Sequence, residues 1–355
     1  METLVRQSIG IDISKDSFTA CLCQLFAKGK YSFSEVRTFE NGMKGFNQLI
    51  KWVRKSCSSS IPVSWAMEAT GTYYEPLAYH LHRLQFRVSV LLPNKVKHYG
   101  KSLNVKSKTD AQDAVIIAQM AAERQLEQWQ PAAPIFKQLR SLTRLYTDLK
   151  AERTAFINRL KSAQAGHEPS AFLMTSLKGI IRKLETEIDK CSAAITKLVK
   201  QEQRLQEKVD KLLTIKGIGV ITIAIILAET QGFELIANAR QLASYAGYDV
   251  VRRESGTSVK GKTRISKKGN GRIRAALHFP ALVASRYNAA LSAVYQRINQ
   301  GNKASKMIGA TALQRKILLL TYAMWKNGTT YKEKQADLNS LPAQDEQKIC
   351  SPLLP

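Results

Sequence analysis

Four carboxylates and one serine stand out in the 355-residue chain for the chemistry their surroundings imply. Asp12 sits in SIGIDIS among Ile9, Ile11 and Ile13. In a strand it points opposite to Ile11 and Ile13, and an Asp in a buried central strand is costly unless something pairs with it. Glu68 repeats the anomaly at the end of the strand-like stretch PVSWAMEAT. Asp110 and Asp113, three apart in TDAQDA, project from one side of a helix start. Acids there also suit the helix dipole, which is the alternative account of that pair. If the two strand-borne and two helix-borne carboxylates converge, they can hold two magnesium (or manganese) ions, since hard divalent cations take oxygen ligands. Two such ions stabilise the attacking and leaving oxygens of a phosphodiester displacement.

The serine is Ser255, in RRESGTSVKGKTRISKKGN (252–270). A serine hydroxyl is a poor nucleophile unless something takes its proton or lowers its pKa. Attack on phosphate also needs positive charge at the non-bridging oxygens, and Arg252, Arg253, Lys260, Lys262 and Arg264 offer it. Gly256 allows a tight turn that exposes the hydroxyl. The alternative is a turn serine bonded to its own backbone, and Ser258 and Ser266 are rival nucleophiles. Residues 251–274 carry nine Lys/Arg against a single Glu, so the segment reads as a phosphate clamp whose binding falls steeply with salt. Lys267, Lys268, Arg272 and Arg274 are expected backbone contacts.

Two further stretches suit phosphate. The KGIG turn, Lys216 to Gly219 with Gly217 and Gly219, has the form of a helix–hairpin–helix turn presenting N–H groups; an ordinary glycine turn between packed helices is the alternative. Lys95, Lys97, Lys101, Lys106 and Lys108 precede the Asp110/Asp113 pair and would draw phosphates toward it.

The whole chain agrees with a polyanionic partner. Its formal charge is +26, an excess that costs self-repulsion. The N-terminus lacks a signal-peptide layout, and the longest apolar run, IGVITIAIILA, is too short to span a membrane. No lipidation signal appears, so nucleic acid is favoured over a membrane surface. Five scattered cysteines form neither a disulfide framework nor a zinc pattern. A reducing cytoplasm is the expected location.

Elements must bring these residues together. SIGIDIS, DSFTACLCQLF and KYSFSEVRTFE read as a three-strand meander, followed by a helix from Gly42 with Phe46, Leu49, Ile50 and Val53 on one face. Strand, helix and strand follow, then the helix TDAQDAVIIAQMAAER with Thr109 as its N-cap. This predicts a mixed α/β domain over 1–125. Residues 136–213 are long, charged and apolar at heptad-like spacing, broken at AGHEPS, and predict an antiparallel helical hairpin or coiled coil. That hairpin either bridges domains or serves as a dimerisation arm. Residues 214–327 read as a mostly helical third region, and 328–355 as a polar, proline-punctuated tail expected to be disordered.

In order, GIDISKDSF, MEATGTYYEP, KTDAQDA, KGIGVITIAIILAE and ESGTSVKGKTRISKKGNGRIR resemble the DEDD transposases of bacterial insertion sequences, kin of the pilin-gene invertases. The resemblance covers most of residues 6–327, and KTDAQDA and ESG…ISKKG are its most discriminating elements. It implies a RuvC-like domain of RNase H fold, a coiled coil and a C-terminal transposase domain. It places the family's metal-binding acids at Asp12, Glu68, Asp110 and Asp113 and its nucleophile at Ser255. It further implies a structured noncoding guide RNA that pairs with target and donor DNA. The chain departs from the family's Gly-Leu-x-Pro pattern before the serine, with Val250 where proline stands. The expected activity is therefore mobilisation of an insertion sequence by DNA cleavage and rejoining. The alternatives are a metal-dependent nuclease of the junction-resolvase kind, using water with Ser255 incidental, and a non-enzymatic nucleic-acid-binding protein that has kept the fold. Recombination of several strands predicts a homodimer or homotetramer.

Overall fold

A computed structural model describes residues 2–69, 71–105, 109–234, 236–251, 254–255, 259–260, 264–300 and 306–331, with only the backbone of 254, 255, 259 and 260. The expected tail beyond residue 331, together with Lys106, Lys108, Arg252, Arg253, Ser258 and Lys262, lies outside the described residues. The chain divides into two compact units, residues 1–131 and 132–355.

The first unit is built on a six-stranded sheet. Strands β1 (Leu4–Ile13) and β2 (Ser17–Phe26) pair antiparallel, while β5 (Val63–Glu68) and β6 (Arg87–Leu91) extend the sheet in parallel from β1. The expected third strand of the meander is two strands, β3 (Tyr31–Phe33) and β4 (Arg37–Glu40), both paired to β2. Ser34 makes the break: its Oγ accepts from Leu22 N at 3.0 Å and its own N–H donates to Leu22 O. The polar side chain has replaced a ladder bond.

Alternation along the strands gives the sheet two buried faces. Ile9, Ile11, Ile13, Trp65 and Met67 pack with Phe46, Leu49 and Val53 of α1 (Met43–Ser56) and Leu77 and Leu81 of α2 (Glu75–Arg83). Cys21, Cys23 and Ala66 face the other way, toward α4 (Asp110–Glu123), whose inner surface is Ala114, Ala118 and Ala122. Small side chains there let the helix lie close to the sheet. The lysine stretch ahead of α4 forms a helix not foreseen from its charge, α3 (Pro93–Ser102). It buries Val96, Tyr99 and Gly100 and exposes Lys95, Lys97 and Lys101.

In the second unit, α5 (Pro134–Gln164) and α6 (Ala171–Gln201) form the antiparallel helical hairpin. The expected continuous helix up to residue 213 breaks at Glu202, whose backbone is extended, and resumes as α7 (Gln203–Leu213). Leu139, Cys191, Ile195 and Leu198 of the hairpin share one core with α8 (Val220–Thr230), α9 (Ala239–Tyr245), α10 (Gly271–Tyr287), α11 (Ala289–Gln300) and α12 (Lys306–Asn327). The hairpin root and the C-terminal helices thus bury one another. Among the described residues no helix is long and apolar enough to cross a membrane.

Candidate active site

Ser8, Gly10 and Asp12 occupy the face of β1 that α4 covers. Ser8 Oγ donates to Ala118 O at 2.7 Å, and a Cβ on residue 10 would fall within the backbone of Ala114 and Ala118. The β1–β5 register runs to Ile11 opposite Met67, which sets Asp12 and Glu68 one step further, at the carboxyl ends of two parallel strands. Sites in open α/β sheets form at that edge. The start of α4 is held over the same edge. Thr109 caps it, accepting from Gln112 N, and Thr19 Oγ1, on the register partner of Asp12, donates to Asp110 O at 3.1 Å. At the far end the Arg6 guanidinium donates to the Ala122 and Glu123 carbonyls, so both ends of α4 are tied to the sheet.

The four sequence-predicted acids are therefore brought to one place. Burial, and after it the charges of Asp113, Asp110 and Glu68, push the Asp12 carboxyl up to about 6; a backbone hydrogen bond from Ile13 acts in the opposite direction. A carboxyl held up by burial and by three acidic neighbours marks a concentration of negative charge at this edge. Among the described residues no three His, Cys, Asp or Glu are arranged to hold a metal ion as they stand. The donor set itself fits a hard divalent cation: four carboxylates and nothing soft.

The serine segment is a narrow β-ribbon. Strands β7 (Val250–Val251) and β10 (Arg264–Ile265) pair antiparallel at its root, and β8 (Glu254–Ser255) pairs with β9 (Val259–Lys260) further out, with Ser255 opposite Val259. The root is closed by Asp249 and Ser266. Ser266 N donates to Asp249 O, and Ser266 Oγ donates to Asp249 Oδ1 at 2.6 Å. Ser266, one of the two rival nucleophiles, is thus occupied in closing the ribbon.

The described basic side chains of this segment divide into two sets. Arg264, Lys267 and Lys268 are exposed around the ribbon root. Arg272 and Arg274 are instead used within the chain: Arg272 donates to Thr147 Oγ1 and Asp148 Oδ1 of α5, and Arg274 to Ala246 O. The KGIG turn joins α7 to α8. Gly217 has φ +102°, and a Cβ there would stand 3.0 Å from Ala284 N of α10, so this glycine packs against a helix. Gly219 is the N-cap of α8 with open space around it, and Lys216 is exposed.

Sequence reading missed Glu229. It is buried at the end of α8, where Arg144 donates through Nε and Nη2 to its two oxygens at 2.9 and 3.1 Å and Asn270 Nδ2 to Oε2 at 2.7 Å. Burial works to raise its pKa, but the hydrogen bonds from Arg144 and Asn270 and the charges of Arg144 and Arg140 outweigh it and hold the carboxyl below its usual range. The signal was available: Glu229 is the one charged residue in VITIAIILAET.

A parallel-and-antiparallel sheet with acids at the strand ends and on the covering helix is a mixed α/β domain consistent with an RNase H-like domain of the DEDD type. Two family profiles match this chain: one described as "Transposase", of the DEDD IS110 type, over residues 9–169, and one described as "Transposase IS116/IS110/IS902 family" over 209–296. The chain belongs to the IS110 family of transposases and is a DNA transposase/recombinase. It is 29 % identical to the pilin gene-inverting protein of Moraxella bovis, over 92 % of this chain and 98 % of that one. It is 26 % identical to a probable family 20 transposase of Pseudomonas aeruginosa, over 76 % and 86 %. It is 24 % identical to the transposase for insertion sequence element IS1111A of Coxiella burnetii, over 76 % and 75 %.

Proposed function

We propose that this transposase mobilises an insertion sequence by cutting and rejoining DNA strands, with Ser255 as nucleophile and Asp12, Glu68, Asp110 and Asp113 as a divalent-metal site. The observation that carries the reading is the convergence of the four carboxylates at the β1/β5 edge, where mutual repulsion raises Asp12. The four side chains are all carboxylates, the oxygen donors that a hard divalent cation takes. When bound, magnesium or manganese would supply charge to phosphate oxygens there.

At the serine, Oγ attacks phosphorus, the bond to the leaving DNA oxygen breaks, and the serine proton is lost as the leaving oxygen gains one. The phosphodiester energy stays in the serine–phosphate bond, so rejoining to a second strand needs no nucleotide cofactor. Exposed Arg264, Lys267 and Lys268 beside the ribbon support phosphate binding. The remaining expected contacts are Lys106, Lys108, Lys216, Gly217, Gly219, Arg252, Arg253, Lys260 and Lys262. The guide RNA and the homodimer or homotetramer rest on the resemblance and on the demands of strand exchange.

The test is covalent capture. Wild-type protein with a supercoiled plasmid bearing the element should yield a detergent-resistant protein–DNA adduct, lost in Ser255→Ala. An adduct that persists in that variant rejects the serine; strand cleavage without any adduct in the wild type favours water as the attacker. A defined short RNA copurifying with the protein would support guidance, and its absence from active preparations would reject it.

A further inference from the structure

Glu229 buries a carboxylate at the end of an apolar helix, with a side-chain exposure of 2 %. Its partners bracket the serine ribbon in sequence. Tyr245, before the ribbon, donates its hydroxyl to Glu229 O at 2.7 Å; Asn270, after it, donates Nδ2 to Glu229 Oε2 at 2.7 Å. The two flanks also meet directly, since Asn270 N donates to Tyr245 O at 2.7 Å. Asn270 is engaged at both ends of its amide: besides the bond from Nδ2, its Oδ1 caps α10 by accepting from Arg272 N and Ile273 N. Arg144 of α5 anchors the carboxylate from the other side.

The space around this root is closed. Gly247 has φ +74°, and a Cβ on it would lie 2.6 Å from Arg274 Nη1; a Cβ on Gly269 would lie 2.5 Å from Tyr245 O. Lys267 is held in the left-handed region at φ +54°. The described strands of the ribbon are two residues each, and both of its ends enter the fold through this root. The hydrogen bonds of the root therefore bear on the direction in which the ribbon leaves the fold. Apolar packing would stabilise such a root as well as a buried ion pair does, but hydrogen bonds with fixed donors and acceptors select a single pose.

We infer that Glu229 and Asn270 are positioning residues for strand transfer: together they clamp the root of the ribbon and so set the approach of Ser255 without touching DNA. The inference rests on Ser255 being the nucleophile. Asn270→Asp isolates the clamp, because Asp caps a helix as well as Asn does but places an oxygen against Glu229. The double variant Asn270→Asp/Glu229→Gln restores a donor–acceptor pair between these two side chains with its direction reversed, at the loss of the Arg144 Nη2 bond to the same atom.

Full-length variants are incubated with saturating plasmid bearing the element, well below their melting temperatures, and scored for adduct rate and DNA affinity. Asn270→Asp and Glu229→Gln should each slow adduct formation by about ten-fold or more, while affinity stays within about two-fold. The double variant should recover to within about three-fold of wild type. Tyr245→Phe, which removes the hydroxyl that meets Glu229 O and the Asn270 side chain, serves if Glu229→Gln does not fold, and it too should slow the adduct at unchanged affinity. An unchanged adduct rate in Asn270→Asp and Tyr245→Phe overturns the clamp. So does a parallel fall of affinity and rate with no rescue in the double variant. Ser255→Ala is run alongside: an adduct in that variant overturns the nucleophile reading itself, whereas its absence leaves the clamp to be judged alone.

Discussion

Gly10 of β1 and Ala118 of α4 meet backbone to backbone, with no room for a Cβ between them. This contact lets α4 lie flat on the sheet and brings its first turn, with Asp110 and Asp113, over the strand end that carries Asp12. Gly10→Ala must push the helix away. We expect a loss of about 3 kcal/mol, at the upper end for overpacking a core, and a loss of strand transfer. Denaturant unfolding checks the first and recombination of a plasmid substrate the second; a variant of wild-type stability and activity would show that the contact does not govern the site.

Asp12 gives a pH-dependent prediction for the metal-free protein. Its folded pKa of about 6 lies above its unfolded value, so stability from its protonated form is complete below about pH 4 and lost as pH rises through 6. At pH 7 the charge opposes folding. Asp12→Asn should then stabilise the metal-free protein by about 1 kcal/mol at pH 7, a figure reduced for partial solvent exposure, and by nothing at pH 4. Thermal unfolding at the two pH values measures this. Added magnesium should raise the melting temperature of the wild type and not of the variant.

Glu229 carries the opposite sign. Its folded pKa is lowered, so its stabilisation is present above the unfolded carboxylate value and lost as pH falls through the folded one. Glu229→Ala strands Arg144 and should cost about 3 kcal/mol at pH 7. The gap between wild type and variant should narrow in acid, as read by denaturant titration at pH 7 and pH 3.

Ser266 tests which serine reacts. Because its hydroxyl is bonded to Asp249 at the ribbon root, Ser266→Ala should cost about 1 kcal/mol of stability while still forming the DNA adduct. Complete loss of the adduct in a folded Ser266→Ala protein would move the nucleophile to this position.

The two sets of arginines and lysines separate by salt. Lys267→Ala and Lys268→Ala remove exposed charges and should each flatten the logarithmic salt dependence of DNA binding by about one. Arg272→Ala breaks bonds to Thr147 and Asp148. It should lower the melting temperature more than it changes that slope, and filter binding over a salt series with parallel thermal melts distinguishes the two.

Much of the site was legible from local pattern. Alternating isoleucines put Asp12 on the opposite face from Ile11 and Ile13, and the Thr109 cap with acids at positions 110 and 113 announced a helix start. These are short-range signals: strand period, cap chemistry and charge type are written within a few residues. The split of the third strand was not legible, because Ser34 interrupts the ladder through a contact with Leu22 on a neighbouring strand. Helix α3 was hidden for a different reason; its lysines drew attention to charge while Val96, Tyr99 and Gly100 made its buried side.

What the sequence alone determined was the set of reactive residue types and the elements carrying them, since periodicity and capping act locally. Only the tertiary structure decided that Asp12, Glu68, Asp110 and Asp113 share one edge, because that depends on the β1–β5 register and on a helix pressed against Gly10. It alone also set apart Arg272 and Arg274, which bond within the fold, from Lys267 and Lys268, which face solvent. A basic residue's role depends on which acceptors the fold puts within its reach, and those lie more than a hundred positions away for Arg272 and at the C-cap of α9 for Arg274.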